Sequence, residues 1–470
     1  MHDFLNKLWF NLGLSLGKIS NEVFKIRLQK SIPFWLTSFF VGLIAVAYSK
    51  LFGYAESLMK YIFTIHPIII FIQAPILMLA GWFLVKRFAP NAGGSGIPQV
   101  MAAIDLVNQK TKVNIRSFLS IRIVVVKIVS SMLMVLGGAA IGREGPTIQI
   151  SSSIFDYFNR LIPKGWPRYK RSSMIVAGAA AGLAAAFNTP LGGIVFAIEE
   201  LSKIHVKFYR SALFLAVIIS GITAQGFLGS YLYLGYPSVG DTSWFMFIYV
   251  IVIAVVGGLL GSILGKGIIT IIRWRKRVFT KTLHSISFII IISLIISTLA
   301  YFVSYTILGS GKDIMQQLLF SNYHSIKWYD FPLRFIGSLL SFSSGAAGGI
   351  FAPALSAGAT LGALLGSLLN LHIADTHLVV LAGMVAFLTS ITRTPFTSAI
   401  IVLEMTDRSS IIFYLLIAGI FAGFASRLID KKSLYDHLRS DYLHEFKIKK
   451  KPDMDESKEL TDENIVTSEN

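Results

Sequence analysis

Cysteine is absent from the sequence of 470 residues, and histidine occurs only nine times. The absence of cysteine excludes disulfide bonds, thiol chemistry and cysteine-ligated metal sites. The histidines lie at the ends of apolar segments or in loops, and their spacing matches no metal-ligand pattern. We therefore expect neither a metal nor another cofactor.

Charged residues are also scarce. They make up 14% of the chain, whereas a soluble domain typically carries about 25%. Hydrophobic residues make up 54%, and the mean hydropathy is +0.65. Residues 172–198 and 285–310 contain no charged side chain, and each stretch exceeds the ~20 residues that span a bilayer. These features predict a polytopic membrane protein.

The net charge of +18 comes from basic clusters between the apolar segments, whereas residues 211–265 contain no lysine or arginine. Because basic loops stay on the cytoplasmic side, both termini are predicted to be cytoplasmic and the loop at 231–244 external. The clusters do not form one patch, so we do not expect nucleic-acid binding. The expected location is the cell inner membrane or the plasma membrane, with several passes.

Two sequence blocks recur in the same order. GAAIGREGP at 138–146 matches GAAGGIFAP at 345–353, and residues 177–199 match residues 382–404 without a gap. The first half follows a basic segment and the second follows the lysine- and arginine-free loop, which predicts two inverted repeats of broken, tilted helices. Chance similarity between Gly/Ala-rich helices is the alternative.

The predicted organisation has five parts. The fold class is all-α, and membrane repeats form its centre. The parts are a cytoplasmic or interfacial helix at 1–30, repeats at 31–228 and 229–430, a terminal helix at 431–446, and a polybasic stretch with an acidic tail at 447–470. The tail's composition is typical of disorder.

Glycine and proline interrupt the apolar segments at GSGIP (94–98), GREGP (142–146) and GGIFAP (348–353). A helix that starts at such a place has free backbone N–H groups and the positive end of its dipole, which attract an anion. Three such starts would bind an anion without a full positive charge, which would hold it too tightly for transport. The hydroxyl of Ser95 can add a donor, or Ser95 can be a simple N-cap.

Arg143 and Glu144 are the only charged residues between positions 128 and 155. A charge in the middle of a bilayer costs about 2.5–3.5 kcal/mol on insertion scales. Glu144 is predicted to be a gate, because its carboxylate can occupy an anion position at a helix start and its protonation would free that position. A structural Arg143–Glu144 pair is the alternative.

Two further residues have alternative interpretations from local sequence. Glu200, in the pair Glu199-Glu200, is either a proton acceptor on the cytoplasmic side or part of a solvated acidic helix end paired with the bases at 203–210. Tyr435 lies at the last membrane end, where tyrosine is common as an interfacial residue.

Enzyme patterns are weak. Residues 13–17 match G-x-S-x-G, but no strand precedes them. Residues 93–96 match the G-x-S-G of intramembrane serine proteases, which need a histidine base at membrane depth. No histidine occupies such a position in the sequence pattern, so we do not expect an enzyme.

GSGIP, GREGP and GGIFAP, in this order, together with AFNTPLGGIVFAIEE and the late tyrosine, resemble the CLC family of chloride channels and chloride/proton exchangers, and the bacterial exchanger type in particular. The resemblance covers roughly residues 30–440. It implies about eighteen membrane helices in a homodimer with one anion path per subunit.

The resemblance also implies roles for single residues. Ser95 and Tyr435 would coordinate the anion through their hydroxyls, and the backbone N–H groups of Ile350 and Phe351 would complete that site. Glu144 would be the external gating glutamate, and Glu200 the internal proton glutamate.

Retention of Ser95, Glu144 and Glu200 favours chloride/proton exchange, because branches of the family with other activities alter these positions. A passive chloride channel on the same scaffold is the main alternative, and a transporter of organic solutes is a further one. Gln99 and Met101 stand where the family often has acidic residues. The resemblance therefore does not predict the electrostatics of the cytoplasmic entrance or the internal proton route.

Overall fold

The computed structural model describes residues 2–17, 21–109, 114–163, 165–201, 210–229, 233–239, 244–279, 281–320, 326–406 and 409–446. These residues form eighteen α-helices and several short turns of 3-10 or π helix, and no strand occurs among them. The predicted all-α fold class is therefore confirmed. The polybasic stretch and acidic tail predicted at 447–470 lie outside the described residues.

The described residues of the first half of the chain form nine helices. The last short helix of this half continues into a π-helical turn at Ala197–Leu201. The helices are α1 (His2–Gly17), α2 (Glu22–Ile65), α3 (Ile70–Phe88), α4 (Ile97–Asn108), α5 (Ile121–Leu136), α6 (Glu144–Leu161), α7 (Arg171–Phe187), α8 (Pro190–Phe196) and α9 (Arg210–Leu228).

The second half contains the other nine helices, and the terminal one follows the last long apolar helix closely. They are α10 (Met246–Val278), α11 (Thr282–Phe302), α12 (Lys312–Phe320), α13 (Asp330–Ser343), α14 (Phe351–Leu368), α15 (Ile373–Thr392), α16 (Pro395–Thr406), α17 (Ile412–Ile429) and α18 (434–446).

The helix predicted at 1–30 is divided in the structure. α1 ends at Gly17, and α2 begins at Glu22 because the side chain of Asn21 accepts a hydrogen bond from the N–H of Phe24 (3.1 Å). Trp9 of α1 is buried and packs edge-on against Trp166, with ring centroids 5.5 Å apart. This contact fixes α1 against the loop between α6 and α7.

Nine helical stretches among the described residues are long and apolar enough to cross a membrane. α4 and α16 have only 12 residues each, or about 18 Å of helix, and α8 is shorter still. Helices of this length end inside a bilayer, where only surrounding protein can satisfy their terminal backbone groups. The chain is therefore a multi-pass membrane protein with broken helices.

A reciprocal pair of helix caps joins the two halves. The carboxylate of Glu199 accepts hydrogen bonds from the N–H groups of Phe396 (3.3 Å) and Thr397 (2.7 Å) at the start of α16. The carboxylate of Glu404 accepts hydrogen bonds from the N–H groups of Leu191 (3.0 Å) and Gly192 (2.7 Å) at the start of α8. Each donor and acceptor is displaced by the same 205 positions that align the sequence blocks, so chance similarity does not explain the repeat.

Close contact between α14 and α15 forms the centre of the second half. Gly358 faces Gly383, and a methyl group added to Gly358 would lie 2.7 Å from the carbonyl carbon of Gly383 and 2.9 Å from the Cα of Met384. Glycine at both positions allows the two backbones to touch. This contact holds α14, whose first residue is Phe351, in a fixed position.

Candidate anion site

Backbone hydrogen bonds join the three glycine-rich loops. The N–H of Gly94 donates to the carbonyl of Ala346 (2.7 Å), and the N–H of Gly348 donates to the carbonyl of Gly94 (3.2 Å). Gly142 and Gly349 exchange two N–H to carbonyl bonds of 2.8 Å each. The structure therefore brings GSGIP, GREGP and GGIFAP to one place, although the second and third are about 200 residues apart in the chain.

Glycine is required at two points of this junction. Gly96 adopts a φ of 104°, a left-handed conformation that favours glycine. A methyl group on Gly349 would lie 3.0 Å from both the carbonyl oxygen of Gly142 and Cδ of Pro146. Larger residues at these positions would push the loops apart.

Three helices begin at the junction. The residues before their first turns are Gly96 for α4, Arg143 for α6 and Ile350 for α14, and no side chain of these residues caps its helix. The first-turn N–H groups of an α-helix have no partner within the helix and carry the positive end of its dipole. Three uncapped starts at one point therefore form a polar, electropositive centre within a membrane protein.

Glu144 lies at this centre and is 1% exposed. Its carboxylate interacts with its own backbone N–H at the start of α6 and with the N–H of Ala352 at the start of α14. Its second oxygen, Oε2, has no hydrogen-bond partner among the described residues. The carboxylate thus bridges two helix starts, which is a position suited to an anion.

The hydroxyl groups of Ser95 and Tyr435 lie close to each other on another side of the centre. They do not reach hydrogen-bonding geometry, and neither oxygen has a partner within the described parts of the chain. A methyl group on Gly145 would collide with Oγ of Ser95, so this hydroxyl faces the start of α6. A buried hydroxyl without a partner costs free energy, and an anion between the two would accept hydrogen bonds from both.

The alternatives for Ser95 and Tyr435 do not agree with the structure. The N-cap of α4 is Gly96, and Ser95 makes no capping hydrogen bond. Tyr435 is 0% exposed, whereas an interfacial tyrosine would contact lipid headgroups and water.

Ile350 and Phe351 carry the first N–H groups of α14, and both side chains are buried. The ring of Phe351 stacks on Tyr435 at 6.4 Å with an interplanar angle of 14°, and it also contacts Phe187 at 6.2 Å and Phe196 at 6.4 Å. This aromatic cluster excludes water from one side of the centre and fixes the tyrosine ring.

Glu200 lies in the π-helical turn that follows α8 and is 6% exposed. Its charge acts on Tyr435, as does that of Glu144, so both glutamates lie near the tyrosine. The bases at 203–209, proposed as its alternative partners, lie outside the described residues. Glu199 is not part of a solvated acidic end, because it caps α16.

Arg143 also contacts groups outside the loop junction. Its Nη1 donates to the carbonyl of Ser49 on α2 (2.9 Å), and its guanidinium carbon lies 5.9 Å from the ring centroid of Tyr233. Arg143 therefore connects α6 to α2 and to the loop after α9.

Lys127 contacts the loop junction and was not predicted from the sequence as a site residue. It is 0% exposed, and its Nζ donates to the carbonyl of Gly94 (2.9 Å), the oxygen that also accepts from Gly348. Lys127 is the only charged residue between Arg122 and Arg143, and an isolated charge in an apolar stretch is a signal of function. This hydrogen bond connects α5 to the GSGIP loop.

Gln99 and Met101 are both buried in α4. Nε2 of Gln99 donates to the carbonyl of Gly93 (2.5 Å) and to the hydroxyl of Tyr442 on α18 (3.0 Å). A neutral amide here therefore links the GSGIP loop to the helix that carries Tyr435, and neither residue adds an acidic group near the centre.

Comparison with known proteins identifies the fold. A cyanobacterial Cl⁻/H⁺ antiporter structure aligns with a TM-score of 0.77 at 23% identity, covering 88% of this chain and 98% of that one. A eukaryotic CLC transporter gives 0.73 at 22% identity, covering 88% and 74%. A CLC-type fluoride/proton antiporter gives 0.70 at 24% identity, covering 89% and 99%.

The family model described as voltage gated chloride channel matches residues 76–427, which include the three glycine-rich motifs and both caps between the halves. This match covers most of the chain, and the resemblance found in the sequence is confirmed. The protein therefore belongs to the CLC family of voltage-gated chloride channels and transporters.

Proposed function

We propose that the protein exchanges chloride, or a similar monovalent anion, for protons across the membrane. The observation that carries this proposal is the position of the Glu144 carboxylate, which bridges the starts of α6 and α14 beside the unpartnered hydroxyls of Ser95 and Tyr435. A titratable group and an anion that need the same N–H groups exclude each other, and this competition couples their movements.

The mechanism follows from that competition. The anion binds between the hydroxyls of Ser95 and Tyr435 and the backbone N–H groups of Ile350 and Phe351. Deprotonated Glu144 competes with it for the helix starts. Protonation removes the negative charge of Glu144, which then leaves the site to the anion and carries its proton toward the outer solution or back.

Glu200 supplies the inner end of the proton route in this proposal. It is buried, and its charge acts on Tyr435 next to the anion position. A second buried carboxylate near the site favours exchange over a passive channel, because a channel needs no second proton acceptor. The similarity to proton-coupled antiporter structures supports the same choice.

A flux assay tests the proposal. We expect the purified protein, reconstituted in liposomes with a chloride gradient, to move protons against their own gradient while chloride moves down its gradient. Chloride electrodes and a pH-sensitive dye inside the vesicles measure both. Chloride flux without proton movement would establish the passive channel instead, and competition between chloride and an organic solute would point to an organic-solute transporter.

We also propose a homodimer, with both termini cytoplasmic in the cell inner membrane or plasma membrane. α8 and α16 are too short to cross the bilayer, yet Leu191 on α8, Phe396 on α16 and Ile198 in the turn after α8 are exposed. Broken helices facing lipid are disfavoured, so a second copy is the partner expected to cover this face. Sedimentation equilibrium in detergent should give the mass of two chains, and the mass of one chain would contradict the dimer.

A further inference from the structure

One face of α2 begins near Glu144 of α6 and continues toward the C-terminal end of α2. Tyr48, Phe52 and Glu56 are spaced four residues apart and therefore share that face. Tyr48 and Phe52 are buried with ring centroids 6.0 Å apart, and Tyr48 lies close enough to Glu144 for an electrostatic interaction. Glu56 lies two turns beyond Tyr48, toward the end of α2 opposite its basic start.

The carboxylate of Glu56 is held by a loop that covers the segment before Glu144. Its Oε1 accepts hydrogen bonds from the N–H (2.7 Å) and Oγ (2.9 Å) of Ser310. The neighbouring Gly309 donates its N–H to the carbonyl of Gly138 (3.5 Å), near the start of the stretch that ends at Glu144. The loop at 309–310 therefore contacts both Glu56 and the segment that precedes Glu144, and the negative charge of Glu56 acts on Glu144.

Several charged groups surround this pair. Lys60 on α2 lies 3.9 Å from Oε1 of Glu56 and pairs with Asp313 on α12. Arg334 on α13 is fully buried, donates to the carbonyls of Leu308 and Gly309, and acts electrostatically on Glu56.

Arg143, Tyr48 and Tyr435 are the other ionisable neighbours that interact with Glu144. Lys312 on α12 lies near Arg143, since both side chains contact the ring of Tyr233. Glu56 contributes negative charge in a neighbourhood of otherwise mostly basic groups.

Glu56 also lines a cavity of about 500 Å³ at this end of the molecule. The walls are mostly apolar, but Lys60, Thr64, Thr306 and Asp313 add charged and hydroxyl groups beside Glu56. In the proposed orientation the cavity faces the outer solution. A carboxylate that contacts both this cavity and the loop bonded to the segment before Glu144 is well placed to influence proton uptake from outside.

We propose that Glu56 is a positioning residue that sets the external pH at which Glu144 takes up its proton. This inference rests on the proposed function of Glu144. The negative charge of Glu56 disfavours a second negative charge nearby, so it favours the protonated, anion-permissive form of Glu144. Transport consequently begins at a higher external pH than it would without Glu56.

Replacing Glu56 with glutamine tests the inference. Chloride flux into proteoliposomes should rise with external acidity in both proteins, but the midpoint for E56Q should lie lower by roughly one pH unit, the scale for a like charge several ångströms away in partly shielded surroundings. Maximal flux should stay close to that of the wild type. D313N is the matched control, because it removes one negative charge from the same cavity at a side chain that is 61% exposed.

Further variants separate an electrostatic role from a structural one. E56D keeps the charge and should keep the wild-type midpoint, and E56Q in an E144Q background should produce no shift. K60M should move the midpoint in the opposite direction, to higher pH, and this variant gives a result even if E56Q does not fold.

An unchanged midpoint in E56Q or K60M, or an equal shift in D313N, would overturn the inference. If the wild-type protein moves chloride without protons, the proposed function itself fails. If the wild type couples the two but E56Q retains its midpoint, only the role of Glu56 fails.

Discussion

Replacement of Glu144 by glutamine is expected to abolish proton transport while chloride still crosses the membrane. Glutamine has nearly the same shape as protonated glutamic acid, but it cannot release a proton or compete as an anion for the N–H groups at the starts of α6 and α14. We expect proton movement to fall by on the order of 10² or more, the scale of losing a proton-transferring side chain. The remaining chloride flux should no longer depend on external pH.

The flux assay with internal pH detection measures both effects. E22Q is a suitable control, because Glu22 lies at the first turn of α2 with 71% of its side chain exposed and pairs only at the surface with Lys25. E22Q should couple proton movement to chloride movement as the wild-type protein does. Proton coupling that persists in E144Q would remove Glu144 from its proposed role and leave the three helix starts without a gate.

Replacement of Gly358 by alanine is expected to have the largest effect on stability. The added methyl group would lie 2.7 Å from the carbonyl carbon of Gly383 and 2.9 Å from the Cα of Met384. These are backbone atoms, which cannot rotate away as a side chain can, so α14 and α15 must separate. We expect a loss of about 3 kcal/mol or more in the free energy of unfolding, at the upper end of the costs of overpacking.

G53A is the matched control for this change. Gly53 lies in the middle of α2, and nothing lies within 4 Å of a methyl group added there. Because alanine favours a helix over glycine by up to about 1 kcal/mol, G53A should be neutral or slightly stabilising. Thermal unfolding in detergent compares the two variants, and an unchanged midpoint in G358A would contradict the tight contact between α14 and α15.

The architecture could be predicted from sequence because the two halves contain matching sequence blocks in the same order. The alignment of residues 177–199 with 382–404 places Glu199 on Glu404, and the structure uses both as caps at equivalent helix starts. Glycine and proline also indicate where apolar segments break. Each of the three motifs was predicted to begin a helix, and this common feature led to the prediction that they lie together around one anion.

The surroundings of the site could not be predicted in the same way. Lys127 contacts Gly94, and Glu56 contacts Ser310, through packing between helices that are distant in the chain. Hydrophobic periodicity does not fix such contacts, because in a bilayer both lipid and protein neighbours are apolar. Lys127 had a sequence signal as an isolated charge, whereas Glu56 has nearby lysines and resembles an ordinary residue at a helix end.

Because Glu199 caps α16 and Glu404 caps α8, each half of the protein supplies a helix cap that the other half needs. If either half were synthesised alone, its glutamate would lose the amide groups that it binds, and its short helix would begin with N–H groups that no carboxylate caps. Two separately inserted halves would therefore form these cap hydrogen bonds only after they associate. A protein made of a single repeat would need a second copy to provide the same caps.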